Sequence, residues 1–99
     1  LDINDFNKMK KNVCIINTAR ADYINEDDLY VWLSKNSNAS AALDVFKKEP
    51  YQKGKLLGLK NIFLTPHIGS FTSDAREKME IESIKNINTY LKKGKIWKF

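Results

Sequence analysis

Short apolar runs alternate with polar segments through the first two thirds of the chain. VCIINTA (13–19) is rich in β-branched residues and too short for a helix, ASAALDVF (39–46) is similar, and NIFLTP (61–66) is ended by its proline. Continuous apolar runs are typical of strands that are covered on both faces, as in parallel sheets. The pattern therefore predicts three buried parallel strands.

Helical spacing of apolar residues precedes the first strand and follows it. Phe6 and Met9 are spaced for a helix in NDFNKMKKN (4–12), which we expect to end at Asn12. Asn25 is a suitable cap for a second helix over NEDDLYVWLSKNS (25–37). The first turn of that helix carries three acidic residues, where the helix dipole favours negative charge, and its apolar stripe consists of Leu29, Trp32 and Leu33.

A long amphipathic helix is predicted after the third strand. TSDAREKMEIESIKNINTYLKKGK (72–95) opens with Thr72 or Ser73 as its cap and closes at Gly94. Its apolar stripe comprises Ile81, Ile84, Ile87 and Leu91. The order of strand, helix, strand, strand and long helix predicts an α/β fold that is half of an open parallel sheet.

The composition indicates one small globular domain. The chain has 99 residues, 42% of them hydrophobic and 29% charged, and no apolar run of about 18 residues that would span a membrane. No signal sequence is visible at the start, and the absence of an initial methionine suggests a piece of a longer protein. Cys14, the lone cysteine, lies in an apolar run, so we expect it to be buried in a protein of the reducing cytoplasm.

The charge pattern does not favour nucleic acid as a partner. The formal net charge is +5, carried mostly by lysines that are scattered among acidic residues without interleaved aromatics. Arg20 and Arg76 are the only arginines. A single histidine and a single cysteine also make a poor set of metal ligands, so no metal site is expected.

Polar side chains follow all three predicted strands, at the edge where open α/β sheets bind their ligands. An arginine, two carboxylates and a histidine are therefore predicted to converge at the carboxyl ends of the strands. The first strand ends at Thr18, Ala19 and Arg20, the second ends at Asp44 with Glu49 shortly after it, and the third ends at Pro66 and His67.

Each of these residues also has an ordinary structural interpretation. His67 could cap the next helix or face water, Arg20 could form a surface ion pair, and Asp44 could cap the loop around residues 46–48. As a catalytic set, Arg20 would bind a carboxylate with its planar guanidinium, and Glu49 would favour the protonated form of His67. That set suits a small substrate in which a carboxylate adjoins a hydroxyl or carbonyl: His67 would take the hydroxyl proton as hydride leaves the same carbon.

Three segments together resemble a known family. INTARADYINEDDL (16–29), AALDVFKKEP (41–50) and LTPHIGSFTSDA (64–75) are similar, in order and spacing, to the NAD-dependent D-isomer-specific 2-hydroxyacid dehydrogenases, among which D-3-phosphoglycerate dehydrogenases are common. The resemblance covers residues 8–93. It implies that residues 1–99 are the C-terminal part of a Rossmann-like, doubly wound NAD-binding domain, with three strands, flanking helices and a long C-terminal helix.

The resemblance also implies roles and partners. Arg20 would hold the substrate carboxylate at the nicotinamide end, His67 would be the general acid/base, Glu49 would hydrogen-bond it, and Asp44 would contact the nicotinamide carboxamide. The backbone around the nicotinamide would come from Thr18, Ala19, Gly69 and Ser70. The implied cofactor is NAD, with NADP left open. The implied substrate is a 2-hydroxy or 2-oxo acid, with 3-phosphoglycerate as one candidate, and the implied assembly is a homo-oligomer.

The chain departs from the family pattern in several places. Ala21 replaces a usual glycine, which would strain the turn if that position needs a positive φ; Asn25 replaces an aspartate, and Ser70 replaces a second glycine. No G-x-G-x-x-G motif occurs. We therefore expect the phosphate-binding half and the substrate domain to lie upstream, and the isolated chain to be inactive. The alternatives are a module that assembles through an exposed sheet edge and one that senses nucleotide.

Overall fold

The computed structural model describes residues 1–93 and divides the chain into two units, Leu1–Ile68 and Gly69–Phe99. The predicted helix end at Gly94 lies outside the described residues. The first unit contains α1 (Ile3–Asn7), β1 (Cys14–Asn17), α2 (Glu26–Lys35), β2 (Ser40–Leu43) and β3 (Ile62–Leu64), and the second contains α3 (Ser73–Lys93). Short 3₁₀ helices occupy Ala21–Tyr23 and Lys55–Gly58.

The three strands form one parallel sheet in the order β1-β2-β3, which confirms the predicted α/β fold. Asn17 lies opposite Leu43, and Leu43 lies opposite Leu64. The carboxyl ends of all three strands are therefore level with one another. Each strand is shorter than the apolar run that predicted it.

The hydrophobic core lies on one face of this sheet. Phe6 of α1 packs against Trp32 of α2 with ring centroids 5.7 Å apart, and both side chains are fully enclosed. The indole Nε1 of Trp32 is buried without a hydrogen-bond partner among the described residues. The core also contains Ile15, Ile24, Leu29, Leu33, Ala39, Ala41, Leu43, Phe46 and Leu56.

Within the first unit nothing covers the opposite face of the sheet, so the prediction of strands buried on both faces is wrong for this unit. Ile16 and Phe63 are 69% and 68% exposed, and Ala42 lies between them in the sheet register. Cys14 is exposed rather than buried, because it lies on the same side of β1 as Ile16. We refer to Cys14, Ile16, Ala42 and Phe63 as the open face.

Side chains with short polar groups define where the first two helices begin. The Asn25 side chain accepts a hydrogen bond from the N–H of Asp28 at 3.0 Å, as predicted. The cap of α1 is Asp2, which forms a reciprocal capping box with Asp5. The box starts the helix at Ile3, and the helix ends at Asn7 rather than at the predicted Asn12.

The second unit is described by α3. Thr72 is its cap, since its hydroxyl accepts the N–H of Ala75 at 3.1 Å. The predicted apolar stripe of Ile81, Ile84, Ile87 and Leu91 is exposed. Among residues 1–93, none of the helices is both long and apolar enough to cross a bilayer.

Candidate active site

The turn that carries Arg20 is built by Asn17, the last residue of β1. The Asn17 side chain is buried, accepts the N–H of Ala19 at 3.1 Å and donates to the carbonyl of Arg20 at 2.9 Å. A buried amide that is satisfied on both sides fixes the backbone around it. Asn17 therefore directs the chain so that Arg20 emerges at the carboxyl end of the sheet.

Two carboxylates organise the loop after β2. Oε1 of Glu49 accepts the N–H of Phe46 at 3.0 Å, and Oε1 of Glu26, at the start of α2, accepts the N–H of Lys47 at 2.7 Å. The Glu49–Pro50 peptide bond is cis. These contacts hold Glu49 close below the end of β2, next to the residues that follow β3.

The turn after β3 places His67 in an uncommon backbone conformation. The N–H of His67 donates to the carbonyl of Thr65 at 3.0 Å across Pro66, which is a three-residue turn. His67 has φ 57° and is the one non-glycine residue with positive φ in the described part of the chain. Left-handed conformations of this kind cluster at functional sites, where the surroundings hold them in place.

The side chains of His67 and Glu49 are joined by a hydrogen bond. Nδ1 of His67 lies 2.7 Å from Oε2 of Glu49, and the two side chains are 48% and 36% exposed. The hydrogen bond from His67, together with the one from the N–H of Phe46, lowers the pKa of Glu49 from its ordinary value. Because an ionised carboxylate only accepts, Nδ1 carries the proton and Nε2 is left for a ligand.

Arg20, Glu49 and His67 line a single open cleft of about 610 Å³ in the first unit. The rest of its lining is Ala21, Asp22, Val45, Phe46 and Lys47. Nη1 of Arg20 donates to the carbonyl of Ala19 at 2.7 Å, and the guanidinium has no carboxylate partner among the described residues. The cleft thus joins an unpaired guanidinium to a carboxylate-bound imidazole, which matches an organic acid that exchanges a proton.

Asp44 lies behind the cleft and is 4% exposed. Its Oδ1 accepts hydrogen bonds from the hydroxyl of Thr65 and from the N–H of Ile68, the latter at 2.9 Å. These donors compensate the cost of burying a carboxylate. The N–H groups of Phe46 and Lys47, in the loop that Asp44 could have capped, bind Glu49 and Glu26 instead.

The remaining predicted residues flank these elements. Thr18 and Ala19 are exposed in the turn after β1, whereas Gly69 and Ser70 belong to the second unit, ahead of α3. Ala21 is the first residue of a 3₁₀ helix and does not have a positive φ. The backbone strain that a positive φ would cause at an alanine is therefore absent at this position. Among the described residues, no group of three or more potential ligands is placed to hold a metal ion.

Sequence reasoning missed the supporting residues of the site. Asn17, Glu26 and Thr65 each hold a segment that carries a predicted site residue. Two of them could have been found from their position in the sequence. Asn17 is a polar residue that ends an apolar run, and Thr65 carries a hydroxyl between an apolar run and a proline. The contact made by Glu26 spans 21 positions and leaves no local signal.

Comparison with known proteins supports the resemblance. Residues 1–69 match the model of the NAD-binding domain of the D-isomer specific 2-hydroxyacid dehydrogenases. A glyoxylate reductase of Thermococcus litoralis is 43% identical over 84 residues, which cover 85% of this chain and 25% of that protein. The chloroplastic D-3-phosphoglycerate dehydrogenase 2 of Arabidopsis thaliana is 46% identical over 78 residues, covering 78% of this chain and 12% of that protein.

A solved structure has the same fold. The crystal structure of a glyoxylate reductase from Paecilomyes thermophila superposes with a TM-score of 0.81 at 34% identity, over 98% of this chain and 30% of that one. The chain therefore spans about a quarter or less of the length of these two curated relatives.

Proposed function

The chain belongs to the D-isomer specific 2-hydroxyacid dehydrogenases, and we propose that it supplies the catalytic residues of an oxidoreductase that interconverts a D-2-hydroxy acid and its 2-oxo acid. One observation carries the proposal. The His67–Glu49 pair, joined at 2.7 Å, opens into the same cleft as the unpaired guanidinium of Arg20. An acid/base and a carboxylate clamp are the two groups that this reaction requires of the protein.

In the proposed mechanism, Arg20 binds the substrate carboxylate through two parallel hydrogen bonds and so orients the neighbouring carbon. Nε2 of His67 takes the hydroxyl proton during oxidation and returns it to the carbonyl oxygen during reduction. Glu49 keeps Nδ1 protonated and stabilises the imidazolium that forms. Hydride passes between the substrate carbon and the nicotinamide when the cofactor is bound.

The cofactor fits this chain at one end only. The cleft lies at the carboxyl ends of the strands, and the exposed residues Thr18 and Ala19 precede Arg20 in the turn after β1, which suits a planar nicotinamide ring. By family resemblance Asp44 would face the carboxamide, and Gly69 and Ser70 would complete the backbone around the ring. No glycine-rich phosphate loop occurs in the 99 residues, so this chain does not hold the pyrophosphate.

The test is an assay of the full-length natural protein with NADH and NADPH against a panel of 2-oxo acids that includes glyoxylate, hydroxypyruvate and 3-phosphohydroxypyruvate. We expect oxidation of NADH and a preference for one member of the panel. His67→Asn should lower kcat about 10²- to 10⁴-fold, the usual contribution of a general acid/base. Asparagine is the replacement of choice because it tolerates the left-handed backbone of His67.

Arg20→Ala should lower kcat/KM by about 10- to 100-fold, the worth of a charge-assisted hydrogen bond. Arg76→Ala is the matched control, since Arg76 is the other arginine of the chain and lies on α3. A protein that binds the dinucleotide but reduces none of these acids would leave nucleotide sensing as the function. An equal loss of kcat/KM in Arg20→Ala and Arg76→Ala would show that Arg20 does not bind the substrate carboxylate.

A further inference from the structure

The turn that presents His67 is held by hydrogen bonds among Thr65, Asp44 and Ile68, and the proposed mechanism gives Thr65 no role. Thr65 is fixed to the sheet, because its N–H donates to the carbonyl of Leu43 at 3.0 Å. Its hydroxyl donates to Oδ1 of Asp44. The same oxygen accepts the N–H of Ile68 at 2.9 Å.

One carboxylate oxygen therefore binds the residue two places before His67 and the residue immediately after it. This clamp closes the chain around Pro66 and His67, where the backbone is left-handed at φ 57°. A histidine in that region is held there by its surroundings, since its intrinsic preference is for negative φ. The imidazole itself is about half exposed, so packing around the ring contributes little to its position.

We infer that Thr65, acting through the carboxylate of Asp44, is a positioning residue that maintains the left-handed turn at His67 and so keeps the imidazole against Glu49. The threonine methyl is not needed for this role, whereas the hydroxyl is. The catalytic consequence rests on the proposed function, but the geometric consequence does not. Two separate measurements therefore test the two parts.

The first measurement uses Glu49 as a gauge of where His67 lies. The hydrogen bond from His67 is the largest cause of the lowered pKa of Glu49, so a displaced imidazole raises that pKa. Thr65→Val removes the donor and keeps a β-branched side chain, and Thr65→Ser keeps the donor. The pKa of Glu49 is read from its side-chain carboxyl carbon in an NMR titration of the 99-residue chain.

We expect the pKa of Glu49 to rise toward its ordinary value in Thr65→Val and to stay low in Thr65→Ser. The other charged groups of the cleft, Arg20, Asp22 and Lys47, are the same in all three proteins. An unchanged pKa in a folded Thr65→Val protein overturns the inference. A further fall also overturns it, because the charge of Asp44 raises the pKa of Glu49 and a fall would report only that this charge was lost.

Amide spectra establish whether each variant is folded. If Thr65→Val does not fold, Thr65→Ala, which also lacks the hydroxyl and is smaller, takes its place with the same expected rise. The NMR titrations test the position of His67 whether or not the protein is a dehydrogenase.

The second measurement is kinetic and uses the full-length natural protein. In Thr65→Val we expect kcat to fall between about 10- and about 100-fold, the effect of a misplaced reacting group, with little change in KM for the 2-oxo acid that Arg20 binds. Thr65→Ser should restore kcat. A raised pKa of Glu49 with undiminished kcat would overturn the catalytic part, whereas a wild-type protein inactive on every 2-oxo acid would overturn the proposed function alone.

Discussion

At the scale of single residues, Glu49 combines two tasks. Its Oε2 binds His67 while its Oε1 caps the N–H of Phe46. Because both bonds favour the ionised carboxylate, both lower the pKa of Glu49. The ionised carboxylate of Glu49 that hydrogen-bonds His67 is thus also stabilised by a backbone N–H of its own loop.

Glu49 should make stability depend on pH in a defined direction. Since its pKa is lowered by folding, the unfolded chain binds the proton more readily, and the contribution of Glu49 is present above its ordinary value of 4.5 and is lost as the pH falls through the lower folded value. His67→Asn should raise the folded pKa and shrink this contribution. Urea unfolding at a series of pH values checks it: the free energy of unfolding should decline less steeply below about pH 4.5 in the variant.

The same steepness in both proteins would show that the hydrogen bond between His67 and Glu49 does not contribute to folding. Such an outcome would leave the geometry of the site intact, because the side chains are partly exposed and exposed pairs contribute little.

The site residues differ in how far their roles could be foreseen. Arg20, Glu49 and His67 stand out in the sequence because their chemistry is unusual among scattered lysines, and the level ends of parallel strands bring such residues together. Asn17 and Thr65 escaped notice because amides and hydroxyls are common everywhere. Their partners, the backbone of Ala19 and Arg20 for Asn17 and the carboxylate of Asp44 for Thr65, are set by the fold.

At the scale of elements, the segment between β2 and β3 packs through its aromatic rings. Tyr51 stacks on Phe46 with centroids 4.5 Å apart and rings inclined by 18°. Its hydroxyl oxygen accepts the N–H of Leu56 at 3.4 Å. Gly54 lies directly beneath the ring: an added Cβ there would be 2.0 Å from the Tyr51 oxygen.

Gly54→Ala should therefore destabilise the protein. The Tyr51 ring must move, and its stacking partner Phe46 is buried in the core, so we expect a loss of about 1 to 3 kcal/mol, the usual cost of overpacking. Gly58→Ala is the matched control, because no atom lies within 4 Å of its added Cβ. Thermal unfolding of the two variants measures the difference, and equal midpoints would mean that Tyr51 swings away freely.

The positions of the elements were predicted well, and their edges less well. The run 39–46 is longer than β2 because Asp44, Val45 and Phe46 are buried in the loop after the strand, and burial alone does not distinguish loop from strand. The capping box formed by Asp2 and Asp5 starts α1 at Ile3, one residue before the predicted helix segment. Periodicity gives the type of an element, whereas local hydrogen bonds set its ends.

At the scale of the whole molecule, the open face is the main feature that differs from an ordinary α/β domain. Parallel sheets are ordinarily covered on both faces, yet Ile16 and Phe63 are exposed here. The sequence could not reveal this, since an apolar residue that awaits a covering layer looks the same as one that already has it. The first unit supplies the layer for one face only.

The open face should drive self-association of the 99-residue chain. Exposed apolar side chains favour association in water, so we expect sedimentation at micromolar concentration to show species larger than a monomer. Combining Ile16→Ser with Phe63→Ser should shift the distribution toward monomer. The matched control combines Tyr23→Ser with Leu57→Ser, which removes exposed apolar side chains outside the open face.

A monomer at every concentration would contradict pairing through the open face. Association that the Tyr23 and Leu57 substitutions abolish equally would place the contact elsewhere. The homo-oligomer expected from family resemblance is a separate matter, which the same experiment on the full-length natural protein addresses.

Cys14 gives the open face a chemical handle. It is the only cysteine of the chain, its thiol is accessible, and it lies two residues from Ile16 on the same side of β1. A maleimide dye attached there would mark the molecule at one known point. The rate at which the dye reacts with Cys14 would fall whenever another molecule covers β1. This rate therefore reports whether the open face is covered.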